Sequence, residues 1–253
     1  MAFRVEKTIG ALLAPSVRAT EPRPSGSGFL LALALCLAAP ALAQQEFRYQ
    51  VRHDHLWKGR AGTLVIGEKG VSFSETGKKH RWSWVYQDIQ QLEIAPRTLR
   101  VLTYEDSKWK LGLDREHRFD LTAEGSFAGA YGFLRDRLDQ RLVAALADVE
   151  VRPLWEIPVK HLQRFGGVQG ALIFGQDRVV FKTTANNESR TWRYADIENV
   201  SSTGPFQLTL TTYERALAHY GNLKGFNFQL KQPLDEARYD QLWRRVNLIR
   251  SNQ

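Results

Sequence analysis

The chain has 253 residues and a formal net charge of +8, with 43% hydrophobic and 25% charged residues. This composition excludes a largely disordered chain and one that fills a membrane, and the length suits one large domain or two of ordinary size. The basic side chains are scattered rather than gathered into a stripe with stacking aromatics, so nucleic-acid binding is not predicted.

The amino terminus has the three parts of a secretory signal peptide. Basic residues precede an unbroken apolar run, Phe29–Ala39, and a small-residue A-x-A site follows at 41–43. We expect cleavage after Ala43 and a mature chain that is exported to the periplasm or the extracellular space. The single cysteine, Cys36, lies in this segment, so the mature chain is predicted to have no disulfide, thiol nucleophile or thiolate metal site.

The rest of the sequence contains one pattern twice. The segment Trp84–Ile89 recurs, lightly changed, as Trp192–Ile197, and further positions match collinearly on both sides of it. The matched pairs include Val51 and Val159, His53 and His161, Gly62 and Gly170, Phe73 and Phe181, Glu105 and Glu214, and Phe119 and Phe228. An internal repeat of this kind predicts two copies of one domain, over 44–149 and 150–253, after the signal peptide at 1–43.

Each copy reads as strands first and a helix last. Apolar and polar residues alternate over 47–53, and short strands are predicted over 62–67 and 71–73 around a tight turn. Alternating strands follow over 82–86, 99–103 and 117–121, and the second copy repeats the series. The tails change to a period of three or four residues, which predicts two amphipathic helices. Their apolar positions are Phe127, Tyr131, Leu134, Leu138 and Leu142 in copy one, and Tyr239, Leu242, Val246 and Ile249 in copy two.

This pattern resembles the pleckstrin-homology-like (PH-like) superfamily in its GRAM-like and bacterial forms. The resemblance covers each repeat almost whole and rests on Gly62–Ile66, Val71–Phe73, Trp84–Ile89, the later strands and the final helix. It implies a mainly β fold with C-terminal helices (α+β), made of two duplicated PH-like domains, each a bent antiparallel sheet capped by one helix. Such domains bind lipids, peptides or proteins and seldom catalyse, and the fold does not identify the ligand.

The resemblance also indicates a binding surface, because phosphoinositide-binding relatives place basic residues in the loop between the first two strands. Here that loop offers Trp57, Lys58 and Arg60 in copy one, and Arg164 and Phe165 in copy two. Trp57 and Phe165 occupy matching positions. An aromatic beside a cation suits contact with a head-group layer. For the aromatics themselves, packing of each ring beneath its own loop is the favoured interpretation over membrane contact.

Two histidines have the spacing of half a metal site. His53 and His55 point to one face of a strand, but the sequence offers no third ligand. His53 continues the apolar phase and is repeated as His161, so we expect both repeated histidines to be packed. No metal and no cofactor are predicted.

Repeated carboxylates have structural explanations as well as catalytic ones. Asp88 and Asp196 follow an aromatic strand in both copies, where capping of a helical turn is the favoured interpretation over a catalytic pair. Glu105 and Glu214 are interpreted as edge-strand charges in preference to general acids.

The sequence therefore predicts a protein that works by binding and is not an enzyme. No nucleophile elbow, zinc-protease, Walker or dinucleotide motif occurs after the signal peptide. The expected partner is an envelope protein or a lipid surface, with possible peripheral membrane contact. A lipocalin-like carrier of a small apolar ligand is the alternative, and a hydrolase without a recognisable motif is the second alternative.

Overall fold

A computed structural model describes residues 45–54, 59–78, 80–107, 113–216 and 223–251. The predicted signal peptide lies outside these ranges. Ala43–Gln253 form one compact unit. The division into domains at residues 149 and 150 remains a prediction. Within the described ranges, no helix has the length and apolar character needed to cross a membrane.

The described chain is mostly β-structure. Its strands are β1 (Phe47–His53), β2 (Arg60–Gly67), β3 (Gly70–Glu75), β4 (Arg81–Val85), β5 (Ile89–Ile94), β6 (Thr98–Asp106), β7 (Asp114–Leu121), β8 (Leu142–Ala144), β9 (Trp155–Leu162), β10 (Gly167–Phe174), β11 (Arg178–Lys182), β12 (Arg190–Arg193), β13 (Ile197–Ser201), β14 (Gln207–Arg215) and β15 (Leu223–Leu230). Its helices are α1 (Tyr131–Arg135) and α2 (Glu236–Ser251), and short 3-10 turns cover Tyr86–Asp88, Phe127–Ala130 and Tyr194–Asp196.

These strands lie in one sheet with the order β13-β14-β15-β9-β10-β11-β12-β8-β5-β6-β7-β1-β2-β3-β4. We call β1–β7 with the following segment up to α1 the first half, and β9–β15 with α2 the second half. The order β5-β6-β7-β1-β2-β3-β4 in the first half is the order β13-β14-β15-β9-β10-β11-β12 in the second. The sequence repeat is therefore matched by a repeated strand order.

The expectation of two separate sheets, each capped by a helix, is wrong. The short strand β8 pairs in parallel with β5 of the first half and, through Ala144 and Thr191, antiparallel with β12 of the second half. It comes from the tail of copy one and closes the gap between the halves. Backbone groups at two sheet edges are satisfied by this single segment, which explains why the sheet is continuous.

The predicted helix over 127–142 is also wrong in its length. Only a 3-10 turn and the five residues of α1 are helical, and Leu142 belongs to β8. Gly129 and Gly132 lower the helix propensity of this segment. The apolar period still marks buried residues, because Leu134 of α1 and Leu138, which lies beyond the end of the helix, are both in the core. The helix predicted for copy two is confirmed as α2.

Each half has its own apolar core. The first core gathers Val51, Leu64, Phe73, Trp84, Phe119 and Phe127 with their neighbours. The second gathers Val159, Leu172, Phe181, Trp192, Phe228 and Leu242 with theirs. Gly62 and Gly170 are repeated because a Cβ at either position would lie 2.2 Å or 2.4 Å from a backbone oxygen of the next strand and close to the ring of Phe73 or Phe181. The backbone therefore approaches the ring closely in both halves.

Candidate binding surface

The loop between β9 and β10 carries two of the predicted binding residues at its tip. It is a tight turn, in which the Gln163 amide donates to the Gly166 carbonyl at 3.2 Å. Gly166 has a φ of 86°, which favours glycine over residues with a Cβ. Arg164 and Phe165 lie between these two residues, so the turn presents both side chains away from the sheet.

Phe165 is 87% exposed, and the guanidinium carbon of Arg164 lies 5.4 Å from its ring centroid. The favoured interpretation, in which the aromatic packs beneath its loop, is therefore wrong for Phe165. A phenylalanine side chain left in water forgoes about 1.5–3 kcal/mol of burial free energy. An exposed ring with a cation beside it can contact a surface that has an anionic outer layer over an apolar interior.

Two further apolar side chains lie at the same end of the second half. Leu162, the last residue of β9, is 39% exposed, and Leu223, the first residue of β15, is 41% exposed. The β9–β15 register pairs Leu162 with Asn227, so the start of β15 reaches the level of the 163–166 loop. Sequence reasoning missed both leucines. Leu162 breaks the strand alternation directly after His161, which was the available signal.

The predicted residues of copy one are not gathered with those of copy two. Trp57 and Lys58 lie outside the described residues. Arg60 begins β2 and contacts the Glu75 carboxylate at 3.4 Å, with its guanidinium 5.5 Å from the Trp82 ring centroid. Arg60 therefore lies at the start of a strand in the first half, whereas Arg164 lies on the β9–β10 loop of the second half.

The first half has a buried pair of histidines, of which the sequence analysis identified only His53. His53 is 4% exposed, as predicted for a packed residue, and its Nε2 lies 3.1 Å from Nδ1 of His117, which is 2% exposed. Phe73, Trp82 and Phe119 lie within 5.6 Å of His53 between ring centroids. Burial, followed by His53 and Arg115, lowers the pKa of His117 to about 3.

The second half replaces this pair by a histidine beside a phenylalanine. His161, the counterpart of His53, is only half-buried, and its ring centroid lies 5.6 Å from that of Phe226. Phe226 matches His117 in the repeat. Burial lowers the pKa of His161. His55 lies outside the described residues, and in the described part of the chain no three metal-binding side chains are grouped.

The repeated glutamates are not edge-strand charges, because β6 and β14 each lie between two other strands. Glu105 is exposed and pairs with Arg115 at 3.1 Å. Glu214 is 6% exposed, accepts a hydrogen bond from Trp192 Nε1 at 2.9 Å and pairs with Lys224 at 3.1 Å. The glutamate of the repeated Thr-Tyr-Glu sequence is therefore exposed to solvent in the first half and buried in the core in the second half.

The expected capping of a helical turn is confirmed for Asp196, whose side chain forms a capping box with Arg193, whereas the described contacts of Asp88 include no such box. Asp88 and Asp196 are the last residues of the 3-10 turns Tyr86–Asp88 and Tyr194–Asp196. Asp196 accepts from the Arg193 amide at 2.9 Å and from the Arg193 guanidinium at 2.6 Å. Asp88 is exposed. The two carboxylates have different environments, and neither arrangement is that of a catalytic pair.

Comparison with known proteins leaves the family open. No protein-family model and no curated protein matches this chain. Among solved structures, it is similar to the C-terminal domain of an unknown protein from Leishmania infantum, with 14% identity over 38% of this chain and 85% of that chain and a TM-score of 0.29. It is also similar to the structure of the Spt16D Pob3N heterodimer, with 12% identity over 75% of this chain and 97% of that chain and a TM-score of 0.26. At these low values, neither likeness supports a conclusion about fold or ligand.

Proposed function

We propose that this chain is an exported, non-enzymatic binding module with two PH-like halves that docks on an anionic lipid surface. The loop between β9 and β10 makes the contact. The observation that carries this proposal is the 87% exposure of Phe165 beside Arg164. The PH-like interpretation rests on the sequence motifs together with the repeated strand order, and export rests on the predicted signal peptide.

Apolar and electrostatic contributions act together at this loop. Insertion of Phe165 below the head groups removes its ring from water, and Leu162 and Leu223 are further exposed apolar side chains at the same end of the second half. Arg164 remains at the head-group level, where one basic residue contributes about 1 kcal/mol on an anionic surface. Binding should therefore need both an acyl region and negative charge.

The filled interior supports surface binding over the carrier alternative. Bulky side chains occupy the core of each half, including Phe73, Phe119 and Phe127 in the first and Phe174, Phe181 and Trp192 in the second, each at most 2% exposed. An apolar ligand inside either half would have to displace them. An exposed loop needs no such rearrangement.

Vesicle flotation tests the proposal. Phe165→Ala should lower partitioning onto phosphatidylglycerol–phosphatidylcholine vesicles about tenfold, because a loss of ~1.4 kcal/mol corresponds to that factor. The matched control is Phe206→Ala, since Phe206 is 50% exposed and lies beside Leu230, at the other end of β15 from Leu223. Equal binding by both variants, or equal binding of the parent chain to pure phosphatidylcholine, contradicts the proposal.

Trp57 gives a second variant because it matches Phe165 in the repeat. If both loops contact the same surface, changing Trp57 and Phe165 to alanine together should abolish vesicle binding. A double variant that binds as tightly as the parent chain would overturn the assignment of both loops.

A further inference from the structure

The strand β4 is the outermost strand of the sheet at the end of the first half, as far as the described residues extend. Its counterpart in the second half, β12, is covered by β8. Of these two equivalent edges, the edge of β12 is therefore paired with a segment of the same chain, whereas the edge of β4 lies at the border of the described sheet. Edge strands of this kind pair readily with a further strand.

The backbone of β4 is well prepared for such pairing. The Glu75 amide donates to the His80 carbonyl at 3.1 Å, and the register of β3 and β4 continues without a bulge. By the alternation of antiparallel ladders, Trp82 and Trp84 bond to β3 while Arg81, Ser83 and Val85 turn their N–H and C=O groups to the outer edge. Arg81, Ser83 and Val85 are all exposed.

The opposite border of the sheet is protected. The register of β13 with β14 is interrupted between Ile197 and Asn199. The Tyr239 hydroxyl of α2 also donates to the Val200 carbonyl at 3.2 Å. A bulge and a covering helix are two common devices against edge pairing. For β4 the described contacts provide neither, and Arg81 is the one charged residue of the strand.

The side chains that hold β8 and the residues after it on the second half are only partly repeated on the first half. The Thr191 hydroxyl donates to the Leu146 carbonyl at 2.8 Å and accepts from the Asp148 amide at 2.9 Å. Arg178 pairs with Asp148. In the first half Ser83 keeps the hydroxyl of Thr191, but Gly70 stands where Arg178 does. The β4 edge therefore lacks the charged side chain that anchors the residues after β8 on the second half.

We propose that β4 pairs antiparallel with β4 of a second copy of this chain, about a twofold axis at Ser83. In this register Ser83 faces its own symmetry mate and Arg81 faces Val85 of the second copy, so no like charges oppose each other. On the other face, the half-buried Trp82 lies opposite Trp84 of the second copy. A twofold interface requires this self-complementarity, and the sequence Arg-Trp-Ser-Trp-Val provides it.

Disulfide trapping tests the register in a Cys36→Ser background. Residues facing each other in a hydrogen-bonded pair have Cα atoms about 5.5 Å apart, which suits a disulfide. Ser83→Cys should therefore yield covalent dimer at least tenfold faster than Ser74→Cys. Ser74 is also exposed but lies on β3, so its symmetry mate would be three strand spacings, about 14 Å, away.

Analytical ultracentrifugation provides an independent test on chains into which no cysteine has been introduced. The parent chain should double in mass with rising concentration, and Ser83→Thr should behave alike. Ser83→Lys should weaken association at least tenfold, because two ammonium groups then meet at the axis. Circular dichroism checks that the variants are folded. A parent chain that stays monomeric near 100 µM (an order-of-magnitude limit for a weak dimer), or equal crosslinking at positions 74 and 83, overturns the proposal.

Discussion

Replacing Arg193 with alanine is expected to lower the free energy of unfolding by about 3 kcal/mol, the usual cost of removing one partner of a buried ion pair. Arg193 donates from Nη1 to the carbonyls of Arg135 and Leu138 at 3.0 Å and 3.1 Å, and from Nη2 to the Asp139 carbonyl. Its guanidinium also holds the Asp196 carboxylate. One side chain of the second half thus satisfies the carbonyl of the last residue of α1 and two carbonyls of the segment that follows it.

The consequence for Asp196 adds to this cost. Asp196 is 8% exposed, and burial already raises its pKa against the opposing effect of Arg193. Without Arg193 the carboxylate must stay charged in a poorly solvated place or take up a proton, and either costs free energy. Asp196→Ala should therefore recover part of the stability lost in Arg193→Ala, which a double-mutant cycle by denaturant unfolding measures.

The matched control is Arg190→Ala. Arg190 also donates to carbonyls, those of Asn187 and Ser189 at 3.0 Å, but both belong to its own β11–β12 connection. We expect a loss below about 1 kcal/mol for this local, partly exposed contact. If Arg190→Ala and Arg193→Ala destabilise the protein equally, Arg193 does not join the two halves in the way described.

Acid should destabilise the first half through His117, and His117→Phe should remove much of that sensitivity. The pKa of His117 is lowered from its ordinary value near 6.5 to about 3, so the unfolded chain binds more protons than the folded one between these pH values. The stabilisation is complete above pH 6.5 and is lost as the pH falls towards 3. The slope is roughly 1 kcal/mol for each pH unit in this window.

The choice of phenylalanine at position 117 follows the second half of the protein. Phe226 already occupies the position equivalent to His117, packed 4.7 Å from Trp192 and beside His161. Urea unfolding from pH 4 to pH 8 should give a shallower pH dependence for His117→Phe than for the parent chain. Some dependence will remain because the pKa of His161 is also lowered by burial. An unchanged slope in the variant would show that the acid sensitivity arises elsewhere.

The repeat could be predicted from the sequence because the pattern of buried residues is the same in both copies, whereas many of the polar residues differ. Gly62 and Gly170 are retained since a Cβ would collide with the next strand, and Phe73 and Phe181 pack against them. The two halves share these matched positions and the same strand order. The alternation that placed His53 in the core was equally informative, because a side chain's phase in a strand decides its face.

The continuous sheet could not be predicted, because it depends on what β8 meets in space. Leu142–Ala144 fits a helix face or a strand equally by its apolar character, and only the two available edges of β5 and β12 decide between them. The contrast between Glu105 and Glu214 is similar. Their local sequences agree, but only Glu214 meets a tryptophan N–H and a lysine inside the fold.

Part of the candidate site was visible in the sequence and part was not. The matching positions of Trp57 and Phe165 indicated the loop, and the tight turn ending at Gly166 accounts for the exposure of Phe165. Leu162 and Leu223 were not recognised because their proximity depends on the β9–β15 register. Pairing registers between distant strands are set by tertiary structure rather than by local pattern.

The most direct test of membrane docking is to place an environment-sensitive fluorophore on the β9–β10 loop. Gln163→Cys in a Cys36→Ser background provides the attachment point on this loop and leaves Phe165 in place, and Phe206→Cys provides the control at the other end of β15. On addition of phosphatidylglycerol vesicles, we predict a blue shift of the emission from position 163 and none from position 206. A shift at neither position, or an equal shift at both, would contradict docking through this loop.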